Sequence, residues 1–134
     1  MDARTCAISL KIPDNEAYTA MRALERLGVT LGRVERADIL LFRQSDDERS
    51  LRARIEHDER LFNPNKHRLD LFADARPRPG EAWIERLDMP EELPMQPYVS
   101  WRLFDADGSP VTPGQLERAC ELLLCNSAIE RAIR

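Results

Sequence analysis

Few residues in this 134-residue chain are of a type and spacing that could do chemistry. His57 and His67 are its only imidazoles, and neither has a Gly-flanked serine nucleophile beside it in sequence. Cys6, Cys120 and Cys125 make an odd count with no CxxC pair, which favours a reducing cytosol over a disulfide framework. Cys120 and Cys125 lie on one predicted helix at a spacing that does not share a face. With no histidine near them, apolar packing fits better than metal binding. Asp105, Asp107 and Gly108 superficially resemble a calcium loop. Placing Gly108 at the sixth position puts Leu103 at the first and Gly114 at the twelfth, where oxygen ligands are required, so a hairpin turn is expected instead. No glycine-rich phosphate loop occurs, and no pair of carboxylates stands out from so charged a chain. No catalytic residue, cofactor site or metal site is therefore assigned, and the chain reads as non-catalytic on its own.

The charge balance narrows the partners. Twenty Lys and Arg are interspersed with 24 Asp and Glu, giving a net charge of -4 without a basic patch, so no nucleic-acid partner is expected. No apolar run approaches the length of a membrane span, and MDARTCAISL lacks the basic start and long apolar stretch of a signal peptide. A cytoplasmic protein is expected, with no membrane partner.

The elements that would position these residues follow from periodicity. TCAISLKI (5–12) alternates with Cys6, Ile8, Leu10 and Ile12 on one side, as a half-buried strand does. A helix over 14–27 follows, capped by Asp14, striped by Ala17, Ala20, Met21, Leu24 and Leu27, and stopped by Gly28. Residues 29–43 read as extended, with ILLF in the sheet interior and Gly32 at a bulge or bend. SDDE (45–48) reads as a capping box for a helix over 46–62 with Leu51, Ile55 and Phe62 inward. Asn63 and Pro64 stop that helix before a strand at 67–72. Residues 74–97 hold a run of prolines and read as a linker or arm, with Trp83 and Ile84 docking it. A strand at 98–104 leads through the DADG turn to a helix capped by Thr112, Pro113 and Gln115. That helix carries Leu116, Ala119, Cys120, Leu123 and Leu124 on its stripe and stops at Asn126, before a strand-like tail at 127–134.

Residues 5–72 resemble the PurS family, the small subunit of phosphoribosylformylglycinamidine synthase. The resemblance rests on the order of elements, on LERLG (24–28) closing the first helix, and on Leu61-Phe62-Asn63-Pro64 before an edge strand. LLCNSAIERAI (123–133) resembles the same signature, with Ser127 where the family has proline. The chain departs from the family in lacking an insert between 12 and 14 and a Gly-Lys in the long strand, where it has Arg36, Ala37 and Asp38. The resemblance implies a non-catalytic protein that dimerises through its sheet and bridges the synthetase and glutaminase subunits of an ATP-dependent complex of purine synthesis.

The expected fold is α+β, a ferredoxin-like split βαβ antiparallel sheet with helices on one face. The units expected are a PurS-like domain (1–73), a proline-rich linker or arm (74–97) and a hairpin-helix-strand unit (98–134). The last unit reads either as a degenerate second copy, making an internal pseudodimer, or as a helix that ends like the first because Asn terminates helices well. Otherwise a homo-oligomer is expected. Asn63, Pro64, Trp83, Trp101 and Phe104 are the interface candidates, the aromatics because aromatic side chains anchor interfaces. Two other readings stand beside this one: a small-ligand-sensing domain on the same scaffold, and a ferredoxin-like enzyme using His57 or His67.

Overall fold

The computed structural model describes residues 4–42, 47–88 and 95–134. Its strands are β1 (Arg4–Leu10), β2 (Arg33–Phe42), β3 (His67–Phe72), β4 (Glu81–Arg86), β5 (Met95–Phe104) and β6 (Glu130–Ile133). Its helices are α1 (Asn15–Arg26), α2 (Glu48–Glu56) and α3 (Pro113–Ala119), the last continued by a π-helical turn, Cys120–Leu124. The six strands form one antiparallel sheet in the order β3-β1-β2-β5-β4-β6.

The fold is thus mixed α+β. The order is not that of a ferredoxin-like split βαβ unit, in which the first helix crosses over a strand. Here β1 and β2 flank α1 yet pair directly with each other as antiparallel neighbours. The crossovers are made by α2, which carries the chain from β2 past β1 to β3, and by α3, which carries it from β5 past β4 to β6.

The order maps onto itself when β1, β2 and β3 are exchanged for β4, β5 and β6. The registers follow the same exchange. Leu10 faces His67 as Arg86 faces Glu130, Ile8 faces Leu69 as Ile84 faces Ala132, and Ala7 faces Asp70 as Trp83 faces Ile133. Toward the centre, Ile8 faces Asp38 as Ile84 faces Val99. Asp38 and Val99 also face each other across the β2–β5 pair. A pseudo-two-fold axis therefore pierces the sheet at Asp38 and Val99. One element breaks the symmetry: among the described residues α1 has no counterpart, and the connection between β4 and β5 is shorter in sequence than the 12 residues of α1 alone.

One sheet face carries all three helices. Over the second half, Ala20 and Leu24 of α1 and Leu116, Ala119, Cys120 and Leu124 pack on Ala82, Ile84 and Leu103. Over the first half, Leu51 and Ile55 of α2 and Phe62 pack on Cys6, Ile8, Leu40, Phe42 and Leu69. Each fully buried leucine such as Leu24 or Leu51 contributes about 1.5–3 kcal/mol. The opposite face buries Ala7, Ile39, Leu41, Trp83 and Tyr98. The 73–80 connection lies against this face, with Thr5 Oγ1 donating to the Asp74 carbonyl at 2.7 Å and Arg78 stacked on Phe72 at 4.6 Å.

Local chemistry explains where the elements begin and end. Asp14 caps α1 by accepting from the Glu16 and Ala17 amides, and Gly28 ends it at φ +91, a left-handed conformation cheap only for glycine. Leu27, expected on the buried stripe, is the C-cap and is exposed. The helix expected over 46–62 is shorter. Asp47 caps it by accepting from the Ser50 amide at 2.8 Å, and Ser45 of the expected capping box lies outside the described residues. Beyond Glu56 the chain turns around Asp58, whose carbonyl accepts from the Leu61 and Phe62 amides. Thr112 and Gln115 form the expected capping box on α3. Leu123, expected inward, is 42% exposed, because the π-helical turn closed by Cys125 N–H to Cys120 O rotates it off the stripe.

Two further expectations change, and one at Gly32 is filled in. The strand read over 5–12 ends at Leu10 and is buried on both faces from Thr5 to Ile8, leaving Leu10 and Ile12 exposed. Gly32 lies at a bend just before β2, as expected, and the bend brings a close approach: its amide donates to the Phe104 carbonyl at 2.9 Å, and a Cβ there would meet the Asp105 carbonyl oxygen. Residues 81–86, inside the stretch read as a linker or arm, form β4 within the sheet, because the prolines flank EAWIER rather than interrupt it.

Candidate functional site

The two Asn stops build the same turn. Asn63 O accepts from the Lys66 and His67 amides, and Asn126 O accepts from the Ile129 and Glu130 amides. Each side chain accepts from the amide two residues on, Asn65 at 2.9 Å and Ala128 at 3.1 Å. Each Asn amide donates to the first side chain of the following strand, His67 Nδ1 at 2.9 Å and Glu130 Oε1 at 2.9 Å. The equivalence extends to the neighbouring strand ends, where Lys11 N–H donates to Lys66 O at 2.8 Å and Leu87 N–H to Ile129 O at 2.9 Å.

The interface candidates do not converge. Asn63 is half-buried in its turn, while Pro64 is exposed and its carbonyl accepts from Lys11 Nζ at 2.7 Å. Trp83 is buried, tilted against Tyr98 with ring centroids 5.3 Å apart, and its indole nitrogen has no hydrogen-bond partner. Phe104 is buried beneath the guanidinium groups of Arg33 at 4.2 Å and Arg102 at 5.0 Å. Trp83 and Phe104 are therefore packing residues, held in place by the sheet face that lies under the 73–80 connection. Of the three aromatic candidates Trp101 alone is half-exposed, on the helical face, with Arg36 5.7 Å from its ring centre.

Around Trp101 the helical face opens into a pocket of about 420 Å³, bounded by Asn15, Glu16, Thr19, Leu123 and Leu124. Nearer the pseudo-two-fold axis lies a second one of about 300 Å³, floored by Ile8, Leu40, Ile84, Pro97 and Val99 and walled by Leu61 and Arg60. Asp38 stands in the middle of that floor, exposed. Sequence reasoning passed over Asp38 and Val99 as site residues. The available signal was a lone carboxylate opening the otherwise apolar run ADILLF.

A cavity of about 800 Å³ lies between the 76–81 segment, the start of α3 and the end of β6, lined in part by Arg76, Arg78, Glu81, Glu117 and Arg134. Glu81 is its buried anchor, at 2% exposure. It accepts from the Arg78 amide at 2.8 Å, from Arg78 Nε and Nη2 at 3.2 Å each, and from Ser100 Oγ at 2.5 Å. Burial opposes the charge on Glu81, but the hydrogen bonds from Arg78 and Ser100 outweigh it and hold the carboxyl below the usual glutamate range. The arrangement buries a carboxylate and a hydroxyl against a partly exposed guanidinium.

The remaining chemistry-bearing groups are structural. Burial raises the Cys6 thiol to about 12 and the Cys120 thiol to about 11, so neither is a nucleophile near neutral pH. His57 Nδ1 lies 2.7 Å from the Ala53 carbonyl of its own helix, and His67 completes the Asn63 turn. Asp105 and Asp107 hold a tight turn, closed by Asp105 N–H to Ser109 O at 2.9 Å. Among the described residues no group of three or more His, Cys, Asp or Glu side chains could hold a metal ion, and no helix is long and apolar enough to cross a membrane. No family model and no curated protein matches the chain.

Proposed function

We propose that this protein is a non-catalytic assembly subunit, one chain doing what two copies of a PurS-like subunit would do. The reading takes the second half as a degenerate copy of the first. What supports it is the turn built in the same way at Asn63 and Asn126, at equivalent places in a sheet whose order repeats about a central antiparallel pair. By the PurS resemblance, the partners are the synthetase and glutaminase subunits of the purine-synthesis amidotransferase, and the chain bridges them in the cytoplasm. The absence of a catalytic constellation among the described histidines, cysteines and carboxylates is compatible with a bridging role and is not what carries it.

Affinity purification from the native host, with Mg²⁺, nucleotide and glutamine present, tests this. Recovery of the synthetase subunit with the chain is the expected result. Recovery of the chain alone, or of unrelated proteins only, would remove the reading.

The cavity beside Arg76, Arg78 and Arg134 favours one second reading, a domain that senses a small anionic ligand. Thermal-shift screening against nucleotides and amino acids separates the two. A ligand-dependent rise in melting temperature, lost on Arg76→Ala, would support sensing.

A further inference from the structure

The cavity beside Arg76, Arg78 and Arg134 holds guanidinium donors that its own carboxylates do not use up. Arg78 is fixed in place. Glu81 accepts from its Nε and Nη2 at 3.2 Å each, and Phe72 lies under the guanidinium at 4.6 Å. This fork leaves the Nη1 hydrogens of Arg78 outside the pair. Glu81, with four hydrogen bonds on two oxygens, is saturated. Arg76 is exposed and has no ion pair among the described residues, although Asp74 lines a small neighbouring cavity with it. Arg134 is matched only loosely, 3.6 Å from Glu117, and both residues are exposed. Arg102, with its Nε 3.4 Å from the Pro79 carbonyl, registers the crowding of positive charge. Burial, and then the Arg78 guanidinium, push it below its ordinary range.

The lining narrows what the cavity can hold. Pro77, Pro79 and Pro113 give it apolar walls, and no aromatic ring stands among the described lining residues to stack on a nucleobase. We propose that this cavity binds a short aliphatic anion, a carboxylate or a phosphate monoester, whose charged head is held by Arg76 and Arg78. Arg78 is the pre-set donor: Glu81 and Phe72 fix its orientation before a ligand arrives, so little freedom is lost on binding. Arg76 supplies the uncommitted charge. Glu117 works against the ligand, both by repelling its head and by occupying Arg134. The inference rests on the ligand-sensing reading and narrows it from small anions in general to aliphatic ones.

The test follows the amide signals of Gly80, Gly114 and Ala132, which line the cavity, in the purified full chain at constant ionic strength. The probes are butyrate, glycerol 3-phosphate, adenosine monophosphate and neutral glycerol. Saturable shifts are expected with butyrate or glycerol 3-phosphate, the two arms showing which head the arginines take, and none with glycerol. Adenosine monophosphate should bind no more tightly than glycerol 3-phosphate. Arg76→Ala should weaken binding about tenfold, and Glu117→Gln should tighten it about threefold. Both side chains are exposed, so neither change disturbs the core. Adenosine monophosphate binding about tenfold more tightly than glycerol 3-phosphate would overturn the aliphatic assignment and leave the sensing reading standing. An affinity unchanged by Arg76→Ala would overturn the placement of the head. No saturable shift with any of the three anions, or the same shifts on adding sodium chloride, would remove the inference and the sensing reading together.

Discussion

Glu81→Gln is the substitution with the largest consequence for one side chain. The glutamate is 2% exposed and receives four hydrogen bonds, three from Arg78 and one from Ser100. Glutamine keeps the shape and one acceptor oxygen but points an amide donor at groups that are themselves donors. The Arg78 guanidinium, a little over a third exposed, then loses its counter-charge. Breaking a buried pair from one side costs about 3–5 kcal/mol, and the partial exposure of Arg78 places this case at the lower end, about 3 kcal/mol. With a urea slope of about 2 kcal/mol/M, the midpoint should fall by about 1.5 M at neutral pH. The same experiment repeated on the acid side checks the cause. The folded protein holds Glu81 ionised below the usual glutamate range, so the unfolded chain binds its proton first as pH falls. The stabilisation is complete above the ordinary glutamate value and is lost as pH drops through the lower, folded value. The gap between the natural chain and the variant should therefore close in that acid window. An unchanged midpoint at neutral pH, or a gap that persists once Glu81 is protonated, would refute the reasoning.

Gly32→Ala should cost about 1–3 kcal/mol in the same urea assay, because its Cβ meets the Asp105 backbone 2.3 Å away and no flexible side chain can yield there. Asn63→Ala and Asn126→Ala should each lose about 1 kcal/mol, within a few tenths of each other, since each removes one side-chain acceptor from an identically built turn. A large difference between the two would mean that the turns are alike in outline only. Thiol labelling of the native chain near neutral pH should modify Cys125 first, the only one of the three that is not buried, with Cys6 and Cys120 reacting only on unfolding. Rapid native labelling of Cys6 would contradict the packing of β1 under α2.

Much of the element order is legible residue by residue. The Asp14–Gly28 frame of α1 and the Thr112 capping box rest on interactions within a few positions, and each appears where the sequence places it. The errors come from interactions that local pattern does not carry. Leu123 turns outward because one π-helical turn shifts the phase of its helix, and its letter is the same as that of Leu124, which stays buried. EAWIER is a good strand sequence masked by the prolines around it, and only its pairing with β5 and β6 makes it one. The symmetry is nearly silent in sequence because equivalent positions exchange volume. Ala7 corresponds to Trp83 and Leu69 to Ala132, so each half packs with different side chains in the same register. A few equivalent positions keep the same residue, among them Ile8 and Ile84, Arg68 and Arg131, and the two turn asparagines.

The proposed role in assembly is tested most directly by native mass spectrometry of whatever is captured on the tagged chain. A single copy of the chain bound with both the synthetase and glutaminase subunits is the expected species. A chain that flies alone, or only with itself, in the presence of Mg²⁺, nucleotide and glutamine would contradict it.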